Sequence, residues 1–180
     1  MGNKKIKMPH RKNIKYKAEW YACQMHGKVN QLFDIHPYRH HLRLTVNEAE
    51  KFIHLIPILD RDTVIAGCWV HDLIEDTGVR YNEVKEQTNK VVAEYAYACT
   101  NDKGRTRKER ANPGYYYGLR IYKHASFIKI CDRIANVRYG KENKSGMFKM
   151  YKDEYAFFKE HLYDGRWQEM WDELEKLFEI

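Results

Sequence analysis

A polar run at the end of an apolar stretch holds the most chemically informative residues. The run reads His71-Asp72-Leu73-Ile74-Glu75-Asp76-Thr77 and follows an apolar sequence that begins at Thr63. On one continuous helix, positions four apart share a face, which places His71 above Glu75 and Asp72 above Asp76. Three carboxylates and an imidazole beside a core are costly unless a cation compensates them. The run therefore predicts a divalent-metal site, and the alternative is a solvated helix end.

Two further residues are candidates to complete the ligand set. His36 precedes Pro37, which restrains the local backbone, and Asp132 interrupts an apolar stretch. Each has an ordinary alternative: His36 as a core histidine, and Asp132 as an ion-pair partner of a nearby arginine. Together with His71 and Asp72 they form a mixed imidazole and carboxylate set. Such a set suits Mn²⁺, Fe²⁺ or Zn²⁺ better than an all-oxygen Mg²⁺ site.

The order of these residues resembles a family signature. His36, then His71-Asp72, then Asp132 resembles the H…HD…D pattern of the HD-domain metal-dependent phosphohydrolases. The polar run resembles the HDxxEDT motif of the RelA/SpoT-type (p)ppGpp hydrolases, and His36-Pro37 matches the His-Pro of their first ligand. The sequence Ile-Lys-Ile-Cys-Asp-Arg-Ile-Ala-Asn-Val-Arg at 128–138 resembles their I-K-x-x-D-R-x-x-N-x-R helix. The resemblance covers about residues 21–138.

The resemblance implies a fold, a cofactor and a reaction. The expected fold is a single all-α HD-domain helical bundle. The expected cofactor is one Mn²⁺ ion, with Fe²⁺ or Zn²⁺ as alternatives, held by His36, His71, Asp72 and Asp132. The expected reaction is removal of the 3′-pyrophosphate from (p)ppGpp, the alarmone of the stringent response. Glu75 and Asp76 match the acidic pair that orients or deprotonates the attacking water, and Asn136 matches a residue that contacts the substrate.

The chain also departs from the family pattern. The family has an Arg-Lys-x-Gly segment before the His-Pro, whereas residues 26–35 here contain no Arg-Lys pair. The histidine that usually precedes the asparagine is Ala135. The alternative substrates are therefore NADPH or a nucleoside monophosphate, from which an HD-type phosphatase releases orthophosphate.

Basic residues near the expected site are candidates for phosphate binding. The loop at 101–110 contains five basic and two acidic residues, and arginine binds phosphate oxygens in a bidentate manner. The candidate contacts are Lys28, Lys103, Arg107 and Arg110, and the alternative is a solvated loop. His40 and His41 are expected at the surface. His40 is four residues after His36 and is therefore close enough to hydrogen-bond it.

The net charge of +7 suggests nucleic acid at first sight. Seven of the 32 basic residues precede Ala18 and no acid does, so the remaining 25 balance the 25 acids. We therefore expect a basic arm at 1–17 and a charge-balanced hydrolase domain at 18–180. A nucleic-acid-binding protein that uses this arm is the alternative of another class. The start lacks a secretory signal and no apolar run is long enough for a membrane span, which predicts a cytoplasmic protein.

The periodicity predicts helices almost throughout. Expected helices cover about 16–25, 47–55, 62–74, a short one from Asn82, 91–100, 117–138, 147–162 and 167–178, the last two being closing helices. No strand is expected. The four cysteines form no CxxC pair and are expected to be reduced and mostly buried. The apolar stripe Trp171, Leu174, Leu177 and Phe178 is expected to pack within the chain, with a dimer face as the alternative.

Overall fold

The computed structural model describes residues 13–101 and 104–180, and this part of the chain is almost entirely α-helical. The all-α prediction is confirmed. The helices are α1 Ile14–Lys28, α2 Arg39–Lys51, α3 Arg61–Val70, α4 Leu73–Thr77, α5 Tyr81–Gln87, α6 Lys90–Cys99, α7 Arg107–Arg110, α8 Pro113–Ile121, α9 Ala125–Glu142, α10 Gly146–Leu162 and α11 Gln168–Phe178. A 3₁₀ turn, Ile53–Leu55, follows α2.

Two central helices form the core. Every residue of α3 from Val64 to Val70 is buried, which agrees with its apolar character on all sides. It packs against α1, α2, α6 and α9. The longest helix, α9, in turn contacts α2, α10 and α11. The apolar stripe of α11 is buried within this one chain, as expected. Polar residues at the ends or in the middle of these central helices therefore lie at the centre of the molecule.

Two helix boundaries differ from the predictions. Helix α2 begins at Arg39, so Asn47 lies exposed inside it and does not cap its start. The reason is a buried stripe that starts earlier and includes His41, Leu42, Thr45 and Val46. The single helix expected at 117–138 is two helices, α8 and α9. The Asn112 side chain caps α8 early by accepting a hydrogen bond from the Tyr115 backbone N–H at 3.1 Å.

A small hairpin occupies the segment where no strand was expected. Strands β1 (Leu32–Phe33) and β2 (His36–Pro37) pair antiparallel, with Phe33 opposite His36. Asp34 adopts a left-handed conformation at the turn (φ 54°), which aspartate tolerates better than most residues. The hairpin connects α1 to α2 and so fixes the direction in which α2 begins.

The predicted basic arm lies mostly outside the described residues. Its last part belongs to α1, because the Asn13 side chain caps that helix by accepting from the Lys15 backbone N–H at 2.9 Å. Lys15 also pairs with Asp62 of α3 at 2.8 Å. The folded part therefore starts earlier than the predicted boundary at residue 18.

Two other predictions concern the cysteines and the membrane. All four cysteines are free thiols, and Cys68, Cys99 and Cys131 are buried, as expected. Among the described residues, no helix combines the length and the apolar character that a membrane crossing requires.

Gly67 permits the close approach of three helices. A Cβ atom there would lie 2.5 Å from Ile128 Cδ1 of α9 and 2.8 Å from Tyr95 Cδ2 of α6. We expect Gly67→Ala to lower the free energy of unfolding by about 1–3 kcal/mol, because overpacking forces neighbouring side chains to move. Urea denaturation measures this effect.

The matched control is Gly118→Ala on α8, where an added Cβ meets no atom within 4 Å. Alanine favours helix over glycine by up to about 1 kcal/mol, so this variant should be as stable as the wild type or slightly more stable. Equal destabilisation by both substitutions would contradict the close-packing explanation.

Candidate metal centre

Two imidazoles and two carboxylates meet at the centre of the bundle. They belong to His41, His71, Asp72 and Asp132, and one ligand atom from each lies within 4.8 Å of the others. His71 Nε2 is 2.9 Å from Asp72 Oδ2, and His41 Nε2 is 3.2 Å from Asp132 Oδ1. The two Nε2 atoms are 3.4 Å apart. Four donor atoms from three separate parts of the sequence therefore converge on one point.

A break between α3 and α4 positions the His-Asp pair. Helix α3 ends at Val70 and α4 begins at Leu73, so the continuous helix expected through this run is wrong. His71 Nδ1 donates to the Cys68 carbonyl at 2.8 Å, which leaves Nε2 for the cluster. Because the chain turns at Asp72, the side chains of His71 and Asp72 both reach the cluster although these residues are adjacent in sequence. Asp132 comes from the middle of α9, and His41 comes from the buried side of α2.

The structure places His41, and not His36, with the other three predicted ligands. The prediction of His36 is therefore wrong in this structure. The His36 ring lies on β2 at 4.4 Å from the His40 ring and edge-on to Tyr139, away from the cluster. His41 was expected at the surface but is only 1% exposed. The reason is the early start of α2, whose buried stripe includes His41; reading that stripe would have found the residue.

The charges of the cluster are strongly coupled. Burial lowers the pKa of His71, but Asp72 and Asp132 outweigh it, and the net pKa lies well above the usual value. Burial likewise opposes protonation of His41, whose pKa is nevertheless raised by the same two carboxylates. For Asp72, burial raises the pKa, but His71 and His41 together lower it more, so the net pKa is well below normal. Without a cation, protons on the imidazoles compensate the carboxylates.

Neighbouring side chains hold both carboxylates in place. The Tyr38 hydroxyl donates to Asp72 Oδ2 at 2.5 Å. Lys129 Nζ donates to Asp132 Oδ2 at 2.8 Å, and Asn136 Nδ2 donates to Asp132 Oδ1 at 2.6 Å. Burial raises the pKa of Asp132, but Lys129 and the two histidines reverse this effect and the net pKa is well below normal. Sequence reasoning did not identify Tyr38 or Lys129 as residues of the site.

The cluster opens on a cavity of about 290 Å³. The cavity is lined by acids and bases together, and its charged residues are Asp72, Glu75, Asp76, Arg107, Arg110, Lys129, Asp132, Arg133 and Glu154. The rest of the wall consists of tyrosines and asparagines together with Phe33, His41, Ala111 and Met147. The cavity therefore brings five carboxylates and four cationic side chains together next to the cluster.

The predicted acidic pair lines this cavity beside the cluster. Glu75 Oε2 accepts from the Asn101 backbone N–H at 2.9 Å, and Asp76 Oδ2 accepts from Gln31 Nε2 at 2.7 Å. Burial raises the pKa of both carboxyls, and the charge of Asp72 raises them further. A carboxylate with a raised pKa is a better proton acceptor at neutral pH than an ordinary surface acid.

The predicted phosphate contacts divide into three groups. Arg107 and Arg110 line the cavity; Arg107 Nε donates to Glu154 at 2.6 Å and Arg110 lies 3.6 Å from Glu75. Lys28 is at the end of α1, where its Nζ contacts Met25 Sδ, and it is not in the cavity wall. Lys103 lies outside the described residues. Asn136, for which a substrate contact was predicted, lines the cavity.

A third arginine of the cavity was missed. The side chain of Arg133 is only 6% exposed, and its Nη1 donates to Glu154 at 3.0 Å. Its guanidinium also lies over the rings of Tyr151 and Phe158 at 4.5 and 4.3 Å. The Asp-Arg sequence at 132–133 was the available signal, since a buried helix position seldom carries arginine unless it is paired.

The donor set fits a divalent transition metal. Nitrogen from two imidazoles and oxygen from two carboxylates suit Mn²⁺, Fe²⁺ or Zn²⁺. The four groups surround one point, with Asp72 half-buried and the other three buried, and a cation there would replace the repulsion between Asp72 and Asp132 with attraction.

Proton competition makes the expected metal affinity depend on pH. Because His41 and His71 have raised pKa values, their protons must leave before the imidazoles bind a cation. Asp72 and Asp132 have lowered pKa values and stay ionised above about pH 4, so they add little pH dependence there. We expect Mn²⁺ affinity to rise steadily from pH 5.5 to pH 8. Calorimetric titration at several pH values measures it, and a flat profile would contradict the assignment of two histidine ligands.

Comparison with models of protein families gives no match for this sequence. A search of curated proteins finds no matching relative. What the site does is therefore inferred from its own residues and geometry.

Proposed function

We propose that this protein is a metal-dependent phosphohydrolase of the HD-domain class that removes the 3′-pyrophosphate from (p)ppGpp. The observation that carries the proposal is the buried cluster of two histidines and two aspartates beside a cavity that contains both a carboxylate pair and arginines. The similarity of 71–77 and 128–138 to the motifs of that class supports it. Mn²⁺ is the proposed cofactor, with Fe²⁺ and Zn²⁺ as alternatives.

Each part of the cavity has a role in this reaction. A divalent cation in the cluster supplies positive charge for phosphate oxygens and lowers the pKa of a water that it binds. Glu75 and Asp76 orient the attacking water and accept its proton. Arg107 and Arg110 bind phosphate oxygens through paired N–H groups. Asn136, which lines the cavity beside Asp132, contacts the sugar or a phosphate of the substrate.

The proposed step is a displacement at the phosphorus atom attached to the 3′ oxygen. A bond forms between the water oxygen and that phosphorus, and the bond from phosphorus to the 3′ oxygen breaks. The 3′ oxygen takes a proton, and pyrophosphate leaves with the former water oxygen. The second product is GDP from ppGpp or GTP from pppGpp. The water proton passes to a carboxylate of the Glu75-Asp76 pair.

A second candidate is a phosphatase that releases orthophosphate from NADPH or a nucleoside monophosphate. The hairpin favours this second candidate, because it contributes no lysine or arginine side chain to the cavity wall. Phe33 lines the cavity there, and the Asp34 carboxylate is engaged by the Tyr139 hydroxyl at 2.8 Å. Recognition of a substrate with two pyrophosphate groups then depends on the arginines of the cavity wall, which are Arg107, Arg110 and Arg133.

One product-resolved assay separates the two candidates. The protein is incubated with Mn²⁺ and, in turn, ppGpp, pppGpp, NADPH and nucleoside monophosphates. The proposal expects GDP or GTP with pyrophosphate, and no activity in Asp72→Ala. Release of orthophosphate alone would favour the second candidate. Absence of turnover on every substrate, or full activity of Asp72→Ala, would overturn both.

A further inference from the structure

A chain of hydrogen bonds leads from the end of α1 to Asp76. His26 Nδ1 lies 2.5 Å from Gln31 Oε1, and Gln31 Nε2 donates to Asp76 Oδ2 at 2.7 Å. The His26 ring is 1% exposed and is stacked on Tyr38, with ring centroids 4.5 Å apart. Tyr38 itself donates to Asp72. Two side chains outside the predicted catalytic set are therefore connected to Asp76, Gln31 directly and His26 through Gln31.

The chemistry of the three groups fixes the direction of this chain. An ionised carboxylate only accepts, so the amide of Gln31 must present its NH₂ to Asp76 and its oxygen to His26. His26 must then carry its proton on Nδ1. Consistent with this tautomer, the buried Nε2 atom of His26 has no hydrogen-bond partner within the described residues. Burial also lowers the pKa of His26, which favours the neutral ring.

The backbone holds Gln31 between the two groups that it connects. The Gln31 N–H donates to the His26 carbonyl at 3.2 Å, and the Gln31 carbonyl accepts from the Tyr38 N–H at 3.1 Å. The backbone of Gln31 is thus hydrogen-bonded through both its N–H and its carbonyl to residues of the same network.

We propose that Gln31 is a positioning residue that holds the Asp76 carboxylate in its reactive orientation, and that His26 fixes the orientation of the Gln31 amide. This inference rests on the proposed hydrolase function. A carboxylate that is free to rotate spends less time aligned with a water beside the cluster, and small misplacements of a catalytic group lower the rate. Gln31 acts through Asp76 and does not contact the reacting atoms.

The test compares Gln31→Met with the wild type. Methionine keeps the length of the side chain and removes both amide hydrogen bonds. We expect kcat to fall about tenfold, with KM and Mn²⁺ affinity within about twofold of wild type. If Asp76 is the carboxylate that sets the acid limb of the pH–rate profile, that limb should also move to higher pH, since the lost N–H group favoured the ionised form of Asp76. Asp72, His26 and Tyr38 also influence the Asp76 carboxyl and are retained in this variant.

A double-mutant cycle shows whether Gln31 acts through Asp76. In an Asp76→Asn background the further change Gln31→Met should have no effect on kcat. Gln87→Met on α5, outside the cavity wall, is the matched control and should keep wild-type kinetics. His26→Phe, which retains an aromatic ring against Tyr38, is the second variant and should lower kcat in the same direction but less.

The outcomes are distinguishable from failure of the proposed function. Absence of wild-type turnover would overturn that function. Wild-type turnover with an unchanged kcat in both Gln31→Met and His26→Phe would overturn only the positioning role. An equal loss from Gln31→Met in the wild-type and Asp76→Asn backgrounds would also overturn it, since the residue would then act elsewhere.

Discussion

His41→Ala is expected to lower Mn²⁺ affinity by more than about 100-fold, and turnover should fall with it. His41 is buried and supplies one of the four clustered donors, and even changes to residues that only support metal ligands cost about 10- to 100-fold in affinity. The substitution also leaves Asp132 without the contact from His41 Nε2 at 3.2 Å. Equilibrium dialysis or calorimetry measures the affinity, and the assay with ppGpp measures turnover.

His36→Ala is the matched control, because it removes the same side chain from the position that the sequence motif favours. The His36 ring contacts His40 and Tyr139 and lies outside the cluster. We expect Mn²⁺ affinity and turnover within about twofold of the wild type. The opposite result, tight binding in His41→Ala and loss in His36→Ala, would show that the ligand set of this structure is wrong.

The second large effect is expected for Glu75→Gln. A proton acceptor positioned in the transition state contributes about 10²- to 10⁴-fold, so kcat should fall within this range while Mn²⁺ stays bound. Burial raises the pKa of Glu75, and a group that accepts a proton works only when it is ionised. The wild-type rate should therefore rise with pH through a value above the ordinary carboxyl pKa of about 4. In Glu75→Gln that rise should be lost or moved.

Asp76→Asn measured beside Glu75→Gln assigns the roles of the two carboxylates. The variant that loses the acid limb identifies the proton acceptor, and the other carboxylate then orients water or substrate. Glu86→Gln, at an exposed position of α5, is the matched surface control and should leave kcat unchanged. Full activity in both Glu75→Gln and Asp76→Asn would contradict a role for this pair in proton transfer.

Local patterns in the sequence predicted the helices and three of the four clustered residues. The apolar run before His71 and the apolar neighbours of Asp132 marked these residues as buried charges that need compensation. Burial then brought them together, because α3 and α9 are the two helices at the centre of the bundle. The hydrophobic pattern was thus sufficient to predict the buried site residues where a helix is apolar on nearly all sides.

The fourth residue, His41, was missed because the start of α2 was predicted too late, at Asn47 and not at Arg39. The preceding hairpin gave no earlier boundary, because its two-residue strands are too short to produce an alternating pattern. The break at Asp72 was missed because the sequence carries no helix-breaking signal at that point: no proline lies near it, and the flanking glycines, Gly67 and Gly78, are five and six residues away. Contacts such as that between Gln31 and Asp76 join residues 45 positions apart, which a linear motif does not relate.

The wide spacing of the clustered residues also gives a bound ion a mechanical role. His41 and His71 are 30 positions apart, and Asp132 is 61 positions beyond His71. An ion shared by them acts as a cross-link that closes two long loops of the chain at once, and closing such loops is costly in an unfolded chain. The apparent melting temperature would then rise with the logarithm of the free metal concentration. Metal supply would thereby set the equilibrium stability of the folded protein as well as its catalytic state.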